Sequence, residues 1–165
     1  MNDVDDSNNV NDVNGVTDRD GRDDQGAEPI RFDTKIAVLL RDDLAAWQEL
    51  NVCSFLMSGL AATHPETIGE PYEDADGTLY TAMFRQPVVV LAGGKETLAA
   101  AHARALAREL RPSVYIWDMF ATGNDRDNRA AVRAAGRDQL DLVGLGVYGP
   151  RNVVDKIMKG ATKHP

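Results

Sequence analysis

Polar side chains follow two apolar runs of this chain at positions where they could do chemistry. Arg41-Asp42-Asp43 follows the run Lys35–Leu40, and Asp118 follows Ser113–Trp117, with Thr122 four residues further on. A carboxylate at the end of a buried strand can act as a general base or orient a water when a pocket raises its pKa. Asp118 and Thr122 are therefore the candidate catalytic residues. The alternative for Asp118 is a carboxylate that caps the following turn.

A second group of candidates lies on one face of the first predicted helix. The spacing of Asn51, Ser54 and Ser58 puts three small hydrogen-bonding groups on that face. With the aromatic surface of Trp47, the face could line a pocket that suits a neutral heterocycle or an amide. The alternative is that it packs against a strand and that Asn51 bonds to nearby backbone. The candidate ligand-binding residues are Arg41, Asp43, Trp47, Asn51, Asp118 and Thr122.

Other residue types that often carry chemistry are not arranged for it. Cys53 has no assigned base, so we predict a buried structural thiol. The three histidines fall in no H-x-x-x-H or H-E-x-x-H spacing, so neither a metal site nor a cofactor is assigned. The segment Gly144-Leu145-Gly146-Val147-Tyr148-Gly149 lacks the third glycine of a dinucleotide fingerprint. We expect its glycines to allow close approach of a strand or a ligand.

Four arginines recur at helical spacing in and just beyond a predicted helix over 125–135; they are Arg126, Arg129, Arg133 and Arg137. On one helix they would form a basic ridge, which could bind RNA phosphates. The alternative is a solvated helix face whose arginines pair with neighbouring aspartates.

The net charge of −8 is concentrated at one end of the chain. Residues 1–33 contain ten acidic and three basic residues, whereas residues 34–165 contain 16 and 15. We predict that 1–33 is a disordered acidic extension, which either aids solubility or competes for a basic surface of the same molecule. The near-neutral remainder does not favour nucleic acid as a partner. One cysteine and the lack of a secretory signal or a membrane-length apolar stretch favour a cytoplasmic protein with no membrane partner.

Strands that alternate with helices must position these candidates. Apolar runs predict strands at 35–40, 88–91, 113–117 and 140–148, and helices at 44–62, 95–110, 125–135 and from Pro150 onwards. Asp76-Gly77 predicts a hairpin turn. The pattern predicts an α/β domain of three layers, with helices on both faces of a mixed, mainly parallel sheet of about four strands. Ligands of such sheets bind beyond the carboxyl ends of the strands, where Asp43, the expected N-cap of the first helix, and Asp118 would lie.

Four segments then occur in a recognisable order between residues 34 and 165. They are Arg41-Asp42-Asp43-Leu44, the helix at 95–110 after an apolar strand, Ile116-Trp117-Asp118, and Gly146-Val147-Tyr148-Gly149-Pro150 followed by Val154-Asp155-Lys156 and Gly160. In this order they resemble the type-II peptidyl-tRNA hydrolases and, more closely, bacterial proteins of the same fold classed as domain of unknown function two thousand. The resemblance implies a single domain over 34–165 with the peptidyl-tRNA hydrolase II-like fold. It also implies homodimerisation, since proteins of this fold often pair.

The chain departs from the hydrolase pattern at the start of the first helix. The hydrolases continue with G-K-x-A-A-Q-x-x-H, whereas residues 46–56 contain neither lysine nor histidine. A lysine there would balance a tRNA phosphate or polarise the ester, and Trp47 and Gln48 cannot carry that charge. The first hypothesis is therefore a domain that binds a small molecule or a protein partner without hydrolysing peptidyl-tRNA.

Two alternatives remain open. One is an ester or amide hydrolase in which Asp118 activates water while Thr122 or Asn51 steadies the oxyanion. The other is an RNA-binding protein that uses the arginine ridge.

Overall fold

The fold is mixed α/β, with four helices and a five-stranded sheet in residues 29–165, which are the residues that this computed structural model describes. Most of the predicted disordered extension therefore lies outside the described residues. In chain order the elements are β1 (Thr34–Arg41), α1 (Ala46–Thr63), β2 (Tyr72–Glu73), β3 (Leu79–Tyr80), β4 (Val88–Gly93), α2 (Lys95–Leu106), β5 (Ser113–Ile116), α3 (Asp125–Arg133), β6 (Leu142–Pro150), α4 (Arg151–Ile157) and β7 (Thr162–Lys163). Short turns of 3₁₀ helix occupy Pro65–Thr67, Trp117–Ala121 and Arg137–Gln139.

Strand β1 is central to the sheet, whose strand order is β5-β6-β1-β4-β7. Its residues from Ile36 to Leu40 are fully or almost fully buried. A strand covered on both faces needs apolar side chains at every position, which is why this run has no alternation. The prediction of a strand buried on both faces is confirmed.

The sheet is mixed, as predicted, but the prediction that it is mainly parallel is wrong. Only β1 and β4 pair in parallel, while β6 pairs antiparallel with both β1 and β5, and β7 pairs antiparallel with β4. Apolar runs indicate where strands occur but carry no information about direction. Because β6 is antiparallel to both of its neighbours, β1 and β5 run in the same direction. Arg41 and Trp117 therefore leave the sheet at the same edge.

The glycines of β6 allow helix α1 to lie close to the sheet. A Cβ at Gly144 would lie 2.3 Å from Val52 Cγ1, and one at Gly146 would lie 3.3 Å from Leu56 and Leu60. The expectation that these glycines permit close approach is confirmed, although the approaching element is a helix and not a strand or a ligand.

The prediction that Asp43 is the N-cap of α1 is wrong. The helix begins at Ala46, and the backbone N–H of Ala45 donates to Gln48 Oε1 at 2.9 Å. The carboxylate of Asp43 instead accepts from Arg41 Nε at 2.6 Å. A buried guanidinium is a stronger partner for a carboxylate than a free helix amide is.

The β2–β3 hairpin forms where Asp76-Gly77 predicts it, with Tyr72 opposite Tyr80. Residues 70–81 are all exposed, so the hairpin projects from the domain. None of the helices in residues 29–165 has the length and apolar character needed to cross a bilayer.

Candidate functional site

An open cavity of about 700 Å³ lies between α1, β5, the 3₁₀ turn at Trp117–Ala121 and α3. Helix α1 contributes one residue per turn, because positions four apart share a helix face. The lining residues are Trp47, Asn51, Phe55, Val114, Tyr115, Met119, Phe120, Thr122, Gly123, Asn124, Asp125, Asn128, Arg129, Val132 and Arg133.

Five aromatic rings form what we call the aromatic cluster beside this cavity. The Phe120 ring centroid lies 5.2 Å from that of Tyr115, 5.5 Å from that of Trp117 and 5.8 Å from that of Trp47. Phe55 packs on Tyr115 with centroids 5.6 Å apart. Most of these pairs are edge-to-face, a favourable geometry for aromatic rings. Trp47 is 63% exposed and Phe55 is 48% exposed, so both keep ring surface open to the cavity.

Asn51 and Tyr115 present a polar edge within the aromatic wall. Asn51 Nδ2 donates to Tyr115 Oη at 3.2 Å. Burial raises the pKa of Tyr115, which is only 3% exposed, and the Asn51 hydrogen bond opposes that rise in part. The phenol is therefore neutral at physiological pH. That bond uses neither the phenol hydrogen nor Asn51 Oδ1, which leaves one donor and one acceptor for a ligand.

The other two polar residues of the predicted stripe do not contribute to the cavity. Ser54 Oγ donates to Leu50 O, and Ser58 Oγ donates to Phe55 O, each at 2.7 Å. Serine hydroxyls on helices often bond to the preceding turn in this way. Of the stripe, only Asn51 lines the cavity.

Thr122 lines the cavity from the segment that precedes α3. Its Oγ1 donates to Met119 O at 2.8 Å and contacts the side-chain amide of Asn128. Asn124 is the N-cap of α3, since its side chain accepts from the backbone N–H of Asp127 at 3.0 Å. These bonds fix the segment that joins the aromatic cluster to α3.

The prediction that four arginines form one ridge on one helix is wrong, because α3 ends at Arg133. Arg129 and Arg133 line the cavity, and Arg129 Nη1 lies 2.7 Å from Asp125 Oδ2. Arg126 pairs with Asp127 at 3.2 Å. Arg137 is in a separate 3₁₀ turn, where it lines a second cavity together with His102.

Arg41 and Asp43 belong to a charged cluster with Lys95 and Asp141. Arg41, which is 7% exposed, bonds to Asp43 through Nε and to Asp141 through Nη1 at 2.9 Å. Lys95 Nζ also lies 2.9 Å from Asp141 Oδ1. Desolvation would raise the pKa of Asp141, but the hydrogen bonds and charges of Lys95 and Arg41 outweigh it and lower that pKa. The Arg41 guanidinium lies 5.0 Å from the Trp117 ring centroid.

The six predicted ligand-binding residues thus fall into three places. Trp47, Asn51 and Thr122 line one cavity. Arg41 and Asp43 are in the charged cluster, where they bond to each other, and neither lines the cavity. Asp118 is exposed and lies in neither place. Sequence reasoning missed Tyr115 and did not assign Arg133 to this cavity, because residues of α1, β5 and α3 meet around it only in the tertiary structure.

Two further features bear on reactive chemistry. Cys53 is half-buried and not fully buried as predicted, and burial raises the pKa of its thiol, which disfavours the nucleophilic thiolate. Within the part of the chain that the structure describes, no three His, Cys, Asp or Glu side chains converge as a metal ion would require.

The fold and the cavity define this protein as a small α/β domain with an aromatic-walled cavity between helices α1 and α3. The chain belongs to the family described as protein of unknown function (DUF2000), which matches residues 34–165, so the closer sequence resemblance is confirmed. A solved structure of a protein of unknown function, Atu0240 from Agrobacterium tumefaciens strain C58, is 50% identical, with a TM-score of 0.80. The match covers 82% of this chain and 100% of that one. No curated protein matched this chain.

Proposed function

We propose that this domain binds a small planar heterocycle with an amide edge in the cavity between α1 and α3. The observation that carries the proposal is that Trp47 and Asn51 of α1 line one open cavity together with Thr122 of the segment before α3. A volume of about 700 Å³ falls in the range of small-molecule sites.

The aromatic wall supports a planar ligand. Trp47 and Phe55 keep exposed ring surface on the same helix face, and Phe120 packs edge-to-face with Trp47. An aromatic ligand that covers this surface gains area burial plus about 0.5–1.5 kcal/mol per well-placed ring pair. A large exposed aromatic surface has an energetic cost in the free protein, which a bound ring removes.

The polar edge supports an amide or lactam group on that ring. The Tyr115 O–H can donate to a ligand carbonyl, and Asn51 Oδ1 can accept from a ligand N–H. This donor–acceptor pair favours an amide ligand over a hydrocarbon. A hydrocarbon would remove water from the Tyr115 O–H and Asn51 Oδ1 without offering either a hydrogen bond.

Isothermal titration calorimetry with 2-quinolinone tests this function, because that ring carries a lactam edge. We expect Trp47→Ala and Asn51→Leu each to weaken binding by about tenfold or more, which corresponds to about 1.4 kcal/mol. Ser54→Ala, on the same helix but bonded to its own backbone, should bind like the wild type. N-methyl-2-quinolinone, which lacks the N–H, should bind more weakly than 2-quinolinone. Failure of the wild type to bind either compound would overturn the proposal.

We also propose that the helices cover both faces of the sheet, giving the three-layer architecture of the type-II peptidyl-tRNA hydrolases. The alternation of side chains along β6 supports this. Gly144 and Gly146 approach α1, whereas a Cβ at Gly149, on the opposite face of the strand, would approach Leu110 at 3.2 Å and Val154 of α4 at 3.9 Å.

Shared architecture does not extend the proposal to hydrolysis. Residues 46–56 lack a lysine and a histidine, and Asp118 is not among the residues that line the cavity. We expect the purified protein not to cleave peptidyl-tRNA. Cleavage that Asp118→Asn abolishes would instead support the hydrolase hypothesis.

A further inference from the structure

We infer that the ligand of this cavity carries a carboxylate that Arg133 binds on the α3 side of the site. The inference rests on the proposed function and specifies the charge of the ligand. It arises from how charged side chains are distributed over the cavity lining.

All the charge in the lining comes from α3. The lining residues from α1, β5 and the 3₁₀ turn are uncharged, whereas α3 contributes Asp125, Arg129 and Arg133. Arg129 and Asp125 neutralise each other through their 2.7 Å ion pair. Arg133 is in none of the ion pairs within residues 29–165, so one positive charge in the cavity is left without a counter-ion.

This distribution favours an anion with a defined orientation. The ring of the ligand lies against the uncharged aromatic wall, and no carboxylate on that wall repels an anion. Arginine presents a planar fork of N–H donors that matches a carboxylate. Because residues 34–165 are nearly neutral overall, attraction of an anion here depends on the local arginine and not on a field of the whole domain.

A matched pair of ligands separates charge from shape. We would measure calorimetric affinities for 2-quinolinone-4-carboxylate and for its neutral 4-carboxamide. The wild type should prefer the carboxylate by about threefold to tenfold, and high salt should reduce that preference because Arg133 is exposed. Arg133→Gln should abolish the preference, because it should lower the affinity for the carboxylate more than the affinity for the carboxamide. Arg126→Gln, on the same helix but outside the cavity, should keep the preference.

A variant that should strengthen the preference for the carboxylate ligand tests the role of Arg133 independently. Asp125→Asn removes the only carboxylate of the lining and releases Arg129 from its ion pair. We expect this variant to prefer the carboxylate ligand more strongly than the wild type does. Melting temperatures of all the variants verify that each remains folded.

The outcomes distinguish the two proposals. Equal affinity of the wild type for both ligands would overturn the charge assignment and leave the proposed function intact. A carboxylate preference that persists in Arg133→Gln would also overturn it. Failure of both ligands and of 2-quinolinone to bind would overturn the proposed function itself.

Discussion

At the scale of single residues, Arg41 shows how this domain keeps a charge at the end of its central strand. Its guanidinium is nearly buried, yet it bonds to Asp43 and Asp141 and stacks near the Trp117 ring. A buried cation is tolerated only when its donors find acceptors. Arg41 therefore joins the ends of β1, β5 and β6, and it occupies one oxygen of each carboxylate partner.

Replacing Asp141 with asparagine should destabilise the domain. The change leaves Arg41 and Lys95 with one charged partner fewer, and the partial exposure of Asp141 limits the expected loss to about 1–2 kcal/mol of unfolding free energy. Because the pKa of Asp141 is lowered in the folded state, its contribution is present above its unfolded pKa and is lost as pH falls through the folded pKa. Urea denaturation at neutral pH measures the loss. Asp42→Asn, which removes an exposed neighbouring carboxylate, is the control, and an equal loss in both variants would contradict the assignment.

His164 gives the domain a pH-dependent contact near its C-terminus. Hydrogen bonds to Pro165 O and to Glu49 raise its pKa, and His164 Nε2 lies 3.2 Å from Glu49 Oε1. Stabilisation by a histidine with a raised pKa is complete below the unfolded pKa and is lost as pH rises through the folded value. Glu49→Gln should therefore cost more unfolding free energy at about pH 5.5 than at about pH 8.5. Urea titrations of both proteins at each pH test this, and an equal cost would refute it.

At the scale of secondary-structure elements, the contact between α1 and β6 sets the position of the cavity. Val52 and Leu56 lie against Gly144 and Gly146, where the strand has no side chains in the way. This close approach holds α1 over β6, so that Trp47 and Phe55 reach the aromatic cluster beside β5. The absence of a side chain at Gly144 therefore helps to position Trp47 and Phe55 in the site.

Gly144→Ala tests this dependence. The new methyl group would overlap Val52, a stiff β-branched side chain, so we expect a loss of about 1–3 kcal/mol in unfolding free energy. Gly123→Ala is the matched control, since no atom lies within 4 Å of the added Cβ. Thermal or urea unfolding of the two variants measures the difference. Similar stability of both would mean that α1 does not rest on β6 as described.

At the scale of the whole described domain, packing decreases from the centre of the sheet outwards. The interior is built around β1 and β6, whose residues are almost all buried. The β2–β3 hairpin is exposed throughout and is held by local bonds, including that of Tyr80 Oη to Asp74 at 2.8 Å. Such differences in burial set differences in local stability.

Hydrogen exchange followed by mass spectrometry should reproduce this gradient. Amides of β1 and β6 should exchange slowest and at a rate that follows global unfolding, whereas those of β2 and β3 should exchange within the earliest time points. If the amides of the hairpin were as strongly protected from exchange as those of β1, the fast exchange expected for a monomeric domain would be contradicted. It would instead support the homodimer that the family resemblance implies, with the hairpin at the interface.

The sequence by itself determined most elements of this protein, but it predicted about four sheet strands and missed the fifth, β7. Unbroken apolar runs fixed β1 and β4, Asp76-Gly77 fixed the hairpin, and the order of motifs led to the family, because all these signals are local in the chain. It also indicated Trp47 and Asn51, whose spacing puts them on one helix face.

Only the tertiary structure decided strand direction and the composition of the site. The antiparallel placement of β6 between β1 and β5 brought Asp141 to Arg41. The placement of α3 across the cavity from α1 brought Arg133 to the same site as Trp47. Such contacts join residues many positions apart, and they depend on which faces of separate elements meet. Local propensity and periodicity do not encode that choice.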